Sequence, residues 1–166
     1  MIAGRKDRFA IEAEPEEIVD GWALGKIRFW IGGEPVGNWE DTADLKGCAG
    51  WLRDFASKPR DRLEPSLEAA TPQEVFRRVY DPIMAGSDGG IPIREAFARF
   101  HISHLGMSSL ELYDLLLVKD ANGGERCLWR KTGEDLVREC HLWRNEMENV
   151  ASDFCDRFDR EILGKS

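Results

Sequence analysis

The chain of 166 residues is poor in the residues that usually carry chemistry. It has three histidines, four cysteines and two tyrosines. Cys48, Cys127, Cys140 and Cys155 are far apart and form no CxxC pair, which argues against a zinc ribbon, a thioredoxin-type redox pair or a disulfide scaffold. Free and mostly buried thiols are the expectation. No GxSxG elbow, HExxH helix or GxxxxGK[ST] loop occurs, so the common signatures of serine hydrolases, zinc peptidases and nucleotide phosphate binding are missing. No run approaches the roughly 18 apolar residues of a membrane helix. The N-terminal residues Met1-Ile2-Ala3-Gly4-Arg5-Lys6-Asp7 turn charged before the apolar core of a leader forms. A cytoplasmic protein without membrane association is expected.

Positive charge is also in short supply. There are 23 Lys+Arg against 31 Asp+Glu, a formal net charge of −8. A nucleic-acid phosphate surface needs basic side chains that release counterions, and here the field has the opposite sign. No nucleic-acid partner is expected, whereas a basic protein partner suits the charge. What the chain does have is apolar mass: six Trp, eight Phe and 42% hydrophobic residues are too many for a disordered acidic tail. A chain of this length folds as one domain, burying roughly 70% of its extended surface.

The order of elements follows from periodicity. Phe9-Ala10-Ile11-Glu12-Ala13-Glu14 alternates apolar and polar residues, and so does the run Trp22 to Ile31, with Ile27, Phe29 and Ile31 on one face and Lys26, Arg28 and Trp30 on the other, the period-two pattern of strands. Between them lies an acidic stretch, residues 14–21, read as a connection. Gly32-Gly33 turns the chain into a short third strand, residues 34–37, with Pro35 at an edge. Asp41 is a candidate cap for a helix whose stripe is Leu45, Cys48, Ala49, Leu52, Phe55 and Ala56, ending at Pro59. Residues 58–70, with Pro59 and Pro65, read as an irregular surface loop. Thr71-Pro72-Gln73-Glu74 is a capping box opening a helix that runs to a break at Pro82. Residues 86–90 form a Gly-rich connection, and Ile93, Ala96, Phe97 and Phe100 a short helix. The apolar run of residues 112–118, the turn at residues 121–124 and residues 125–130 predict a hairpin, followed by a less regular strand at residues 136–142. Met147, Val150, Ala151, Phe154, Phe158 and Ile162 define a long C-terminal helix with Asn145 as its cap. Strands, helices, strands and a final helix give an α+β fold, mainly antiparallel sheet packed against three to four helices.

Candidate sites are few. His101 and His104 would share one side of a helix at this spacing and chelate a metal there, with Cys140 or His141 as further ligands; in a strand they would point to opposite faces. No accompanying motif supports that chemistry, so structural histidines, no metal and no cofactor are expected. Cys48 and Cys155 fall on helix stripes and read as core filler. Trp30, Trp39 and Trp51 fit a buried role or an interface. Carboxylates concentrate in two places: Glu12, Glu14, Glu16, Glu17 and Asp20, and the polar face of the last helix with Glu146, Glu148, Asp153, Asp156, Asp159 and Glu161. Each is either a solvated face or a landing surface for a basic protein, where complementary charge speeds association. The residues taken as partner-binding are Glu146, Glu148, Asp153, Asp156, Glu14, Glu16 and Glu17.

A pattern spread over most of the chain carries a resemblance: Met1-Ile2-x-Gly4, Phe9-Ala10-Ile11-Glu12, Trp22-x-x-Gly25, Phe29-Trp30-Ile31-x-Gly33, Val36-Gly37 and an Asp41-Thr42 helix start, then Leu105-Gly106, the strand at residues 113–119, Asn122-Gly123 and Leu128-Trp129. In these positions the chain resembles the Immunity protein 42 family of bacterial polymorphic toxin systems. The resemblance implies one immunity-protein-like domain over residues 1–166, a non-enzymatic cytoplasmic protein that binds a cognate toxin and blocks its active site or an adjacent exosite. It supplies no functional residues, because the matched positions are strand, turn and core. It also leaves residues 58–70 and 86–90 as an alternative seat of toxin specificity. Two other readings compete: a small metal-dependent hydrolase using His101 and His104, and a regulatory or scaffolding module. A homodimer is left open.

Overall fold

The computed structural model describes residues 1–86, 91–102 and 108–165. Its first half builds one antiparallel sheet. Strand β1 (Ile2–Gly4) pairs with β2 (Phe9–Val19), β2 with β3 (Trp22–Ile31), and β3 with both β4 (Glu34–Val36) and the two-residue β5 (Ala43–Asp44). The β2/β3 register sets Phe9 opposite Ile31, Ile11 opposite Phe29 and Ala13 opposite Ile27. Cross-strand partners share a face, so these residues form one apolar side, and all six are buried.

That side is covered by α1 (Leu45–Ser57) and α4 (Glu146–Glu161). Helix α1 begins at Asp44, whose carboxylate accepts the Lys46 N–H at 3.0 Å. Asp41, the expected cap, instead accepts from the Asn38 side chain at 2.9 Å; pairing of Ala43 and Asp44 with β3 delays the helix by three residues. Between the two helices in sequence come α2 (Pro72–Ala85) and α3 (Ile93–Phe100). The capping box of Thr71 and Glu74 is formed. Helix α2 continues for one turn past Pro82 and ends at Gly86 in the left-handed region (φ 65°). A proline so close to the end removes a single intrahelical bond and does not stop the helix at once.

A second antiparallel sheet has the order β6 (Tyr113–Lys119), β7 (Glu125–Lys131), β8 (Arg138–Leu142). Strand β6 is buried on both faces, which is why it reads as a continuous apolar run. Leu115, Leu117, Cys127 and Trp129 join the main core with α1, α4 and the first sheet; Leu116, Val118 and Leu128 join a smaller cluster with α2 and α3. The α+β class and the long final helix therefore stand as expected.

Two further expectations need correction. The acidic stretch after Glu14 is not a connection but the second half of β2. Residues 58–70 are not a loose loop either: they contain the short 3-10 turns Pro59–Arg62 and Pro65–Leu67, and Leu67 is buried in the smaller cluster. Arg126 from β7 pins this segment, donating to the Leu67 carbonyl at 2.6 Å and the Ala70 carbonyl at 2.8 Å. Proline spacing signals irregular backbone but not whether that backbone is held from beneath.

Candidate functional site

The acids of β2 sit at the free end of the β2–β3 hairpin. Glu14 is opposite Lys26, the ladder slips by one residue between Pro15 and Glu17, and pairing resumes as Glu17 with Leu24, Ile18 with Ala23 and Val19 with Trp22. Asp20 (φ 48°) and Gly21 (φ 81°) make the two-residue turn, the positive-φ pair that matches strand twist. Lys46 of α1 donates to the Gly21 carbonyl at 3.0 Å, tying the tip to the helix.

The register decides what shares a face. Trp22 with Val19, Leu24 with Glu17 and Lys26 with Glu14 all lie opposite the side carrying Ala23 and Ile27. This outer face bears an apolar step, Trp22 (56% exposed) and Val19 (43%), among Glu14, Glu16, Glu17 and Asp20. Among the described residues Glu16 is the one of these four in an ion pair, with Lys26 at 3.6 Å.

Farther along the same face the charges are self-contained. The Glu12 carboxylate accepts from Trp30 Nε1 at 2.7 Å, Lys6 Nζ at 3.0 Å and Arg28 Nε at 2.8 Å. Burial works against ionising Glu12, but the three donors outweigh it and hold its pKa down to about 2. Lys6 lies over the Trp30 ring at 4.2 Å, and Arg28 over the Trp39 ring at 4.4 Å. Trp30 and Trp39 are thus half-buried under their own neighbours.

On α4 the expected acidic face divides. Asp153 and Asp156 are exposed. Glu146 is half-buried, accepting from Arg8 at 2.6 Å and from the Trp143 backbone N–H at 2.7 Å; Arg8 in turn stacks on the Trp143 ring at 3.9 Å. Glu148 is not on the polar face at all, being 4% exposed. Two residues on from Glu146, about 200° around the helix, its side chain points toward β6 and β7, where it meets Lys119 at 2.8 Å and Arg62 at 3.0 Å.

These residues belong to a buried ionic network that the sequence did not announce. Lys119 also contacts Glu125 at 2.9 Å and donates to Asn145 Oδ1 at 2.8 Å, so Asn145 stands at the N-cap position of α4 as expected, but its side chain holds a lysine and makes no capping bond. Glu125 takes over part of the capping, accepting the Met147 N–H at 3.0 Å. Arg62 donates to the Phe55 carbonyl at 2.6 Å. Burial, together with the Glu148 carboxylate beside it, pushes the Glu125 pKa up to about 8. Burial also opposes ionisation of Glu148, but Glu125, Lys119 and Arg62 outweigh it and lower its pKa. The network ties α4 to β6, β7 and the turn after α1. A groove of about 780 Å³ lies above it, lined by Leu63, Asn122, Arg144 and Asn145.

The family model for Immunity protein 42 matches residues 1–157. The chain belongs to the Immunity protein 42 family. Among solved structures it is similar to CdiI from Burkholderia dolosa AUO158, with a TM-score of 0.70 and 20% identity over 100% of both chains; at that identity the likeness is one of fold. None of the curated proteins matches.

Of the remaining chemistry-bearing residues of this Immunity protein 42 chain, Cys48, Cys127 and Cys155 lie in its core. His101 is half-buried between Phe97, at 4.9 Å, and Tyr80, at 5.5 Å; His104 lies outside the described residues, as do Leu105-Gly106 and residues 87–90 of the Gly-rich connection. Among the described residues no group of three His, Cys, Asp or Glu side chains is placed to hold a metal. His141 is exposed on β8, 3.5 Å from Glu139. Burial pushes the Cys48 thiol up to about 12 and Cys155 up to about 11, and raises Cys127 well above its usual range. These thiols stay protonated and unreactive near neutral pH. Among the described residues no helix is long and apolar enough to cross a membrane.

Proposed function

We propose that this protein is a non-enzymatic immunity protein that binds the toxin encoded beside it and neutralises that toxin by covering its active site or an adjacent exosite. Membership of the Immunity protein 42 family over residues 1–157 carries the reading, and the full-length likeness to the CdiI fold agrees with it. The protein acts where the toxin would act on its own cell, in the cytoplasm. Its candidate contact acids are Glu14, Glu16 and Glu17 on β2 and Asp153 and Asp156 on α4, all exposed. Glu146 is engaged with Arg8, and Glu148 lies inside the protein, so neither is available to a partner without rearrangement. The acidic balance of −8 favours a basic toxin, because complementary fields raise association rates and suppress wrong partners.

Co-expression with the toxin from the neighbouring reading frame tests the proposal. Rescue of growth and co-elution of the two proteins on a sizing column are expected. Continued killing with no complex would overturn it.

A further inference from the structure

The first sheet has one face under α1 and α4, and along β3 the opposite face runs from half-buried side chains to exposed Trp22 at the hairpin end. Its two ends differ in kind. Around Glu12 the polar groups satisfy one another, with three donors on one carboxylate and two cations stacked on indoles. At the hairpin end no such closure exists. Trp22, 56% exposed, and its cross-strand partner Val19 project there, and Glu14, Glu17 and Asp20 form no ion pair among the described residues. An exposed tryptophan inside a rim of unpaired acids has the composition of an interface centre with a polar surround.

Resting on the reading of the protein as a toxin inhibitor, we propose that this outer face of the β2–β3 hairpin end, centred on Trp22, is where a basic surface of the toxin docks. Two observations narrow the occupant. A second copy of the chain is disfavoured, because a two-fold contact here would set four acids against the same four acids. Addition of a partner strand along β2 is disfavoured as well: β1 pairs with β2 as far as Glu12 and Met1 carries the bonding on to Ala13, and Pro15 and the slipped register interrupt the open stretch that follows. Docking therefore uses side chains on the face and not the backbone of the edge.

The other exposed candidates fit a basic partner less well. Trp143 is 64% exposed but already carries the Arg8 guanidinium on its ring at 3.9 Å. Asp153 and Asp156 on α4 have no large exposed apolar residue among their helical neighbours. The hairpin end is also pre-organised, since Lys46 fixes the turn from α1, which reduces the ordering cost of binding.

Surface plasmon resonance with a catalytically inactivated toxin domain from the neighbouring reading frame, run over a salt series, separates the possibilities. Trp22→Ala is expected to weaken binding at least tenfold, mostly through faster dissociation. Glu16→Lys combined with Glu17→Lys should slow association at least tenfold and flatten its salt dependence. Asp153→Lys combined with Asp156→Lys should change either rate less than threefold. Unchanged thermal unfolding of each variant shows that the fold is intact, and hydrogen exchange on the wild-type complex should show protection over residues 14–24. If wild type binds but the hairpin variants bind equally well, with no protection there, the docking surface is wrong and the immunity reading stands. If wild type itself does not bind, both fall. Self-association of the free protein that Trp22→Ala abolishes would assign the face to a second copy and overturn the proposal.

Discussion

Replacing Glu148 by Gln should be among the most damaging single-atom exchanges available in this chain. A glutamate on a solvated helix face changes stability within about 0.5 kcal/mol when neutralised. Glu148 instead accepts from Lys119 at 2.8 Å and Arg62 at 3.0 Å with both cations buried. Breaking a buried ion pair from one side costs about 3–5 kcal/mol, because the opposite charge is left desolvated. Part of this is recovered: without the neighbouring carboxylate, Glu125 loses one of the influences that raise its pKa and can ionise against Lys119. A net loss of about 2–3 kcal/mol remains. With a urea dependence of about 2 kcal/mol/M, the unfolding midpoint should drop by about 1–1.5 M. Glu125→Gln supplies the contrast. With its pKa near 8, Glu125 is mostly protonated at pH 7, and an amide resembles that form, so a loss under about 1 kcal/mol is expected. Circular dichroism during urea titration at pH 7 reads both. A Glu148→Gln midpoint within 0.2 M of wild type, or a larger loss for Glu125→Gln than for Glu148→Gln, would refute the assignment of charge within the network.

Other consequences can be measured separately. Because the folded pKa of Glu125 lies near 8 against an ordinary 4.5, its contribution is fully present below about 4.5 and is lost as pH rises to 8, since the unfolded chain releases a proton that the folded one keeps; this loss should shrink in Glu125→Gln. Glu12 has the opposite sign. Its contribution is present above 4.5 and lost as pH falls toward 2, and in Trp30→Phe an NMR titration should show its midpoint moving up, an unmoved midpoint refuting the Trp30 donor. Gly25→Ala would place a methyl 2.3 Å from the Glu14 carbonyl and 2.9 Å from Pro15 Cα, forcing β2 away from β3; a melting temperature lowered by several degrees is expected, on the order of 2 kcal/mol. Native protein should present at most Cys140 to a thiol reagent at pH 8, and all four cysteines in urea; rapid labelling of Cys48 or Cys127 would contradict their burial.

Much of the architecture was legible because it is written in local patterns. Alternation in residues 9–14 and 26–31, the capping box at Thr71, the turn before Glu125 and the stripe from Met147 to Phe158 each depend on residues close in sequence. The first sheet was read short at both ends for a related reason. Strand β1 is three residues long, too short to show a period, and the acids that extend β2 match a connection in composition. Their strand conformation is imposed by the partner strand, through Glu17 with Leu24 and Val19 with Trp22.

The candidate site was half legible. Clusters of acids could be counted along the chain, but a count does not say which side chains face water. Glu146 and Glu148 are two residues apart on one helix, and one is held by Arg8 while the other is buried against Lys119 and Arg62. Periodicity alone gave Glu148 no reason to turn inward, because its partners lie 29 and 86 positions away in the chain. Conversely, Trp22 was visible only as one aromatic at the start of a strand, and its exposure follows from its place on the sheet face opposite the one that α1 and α4 cover.

By itself, then, the sequence determined the fold class, the order of elements and the acidic field, which rest on composition or on neighbours within a few residues, and it carried the resemblance to immunity proteins in positions spread along the chain. Only the tertiary structure decided which acids are free to meet a partner, since the fate of a carboxylate depends on whether distant cations such as Lys119 and Arg62 reach it before water does.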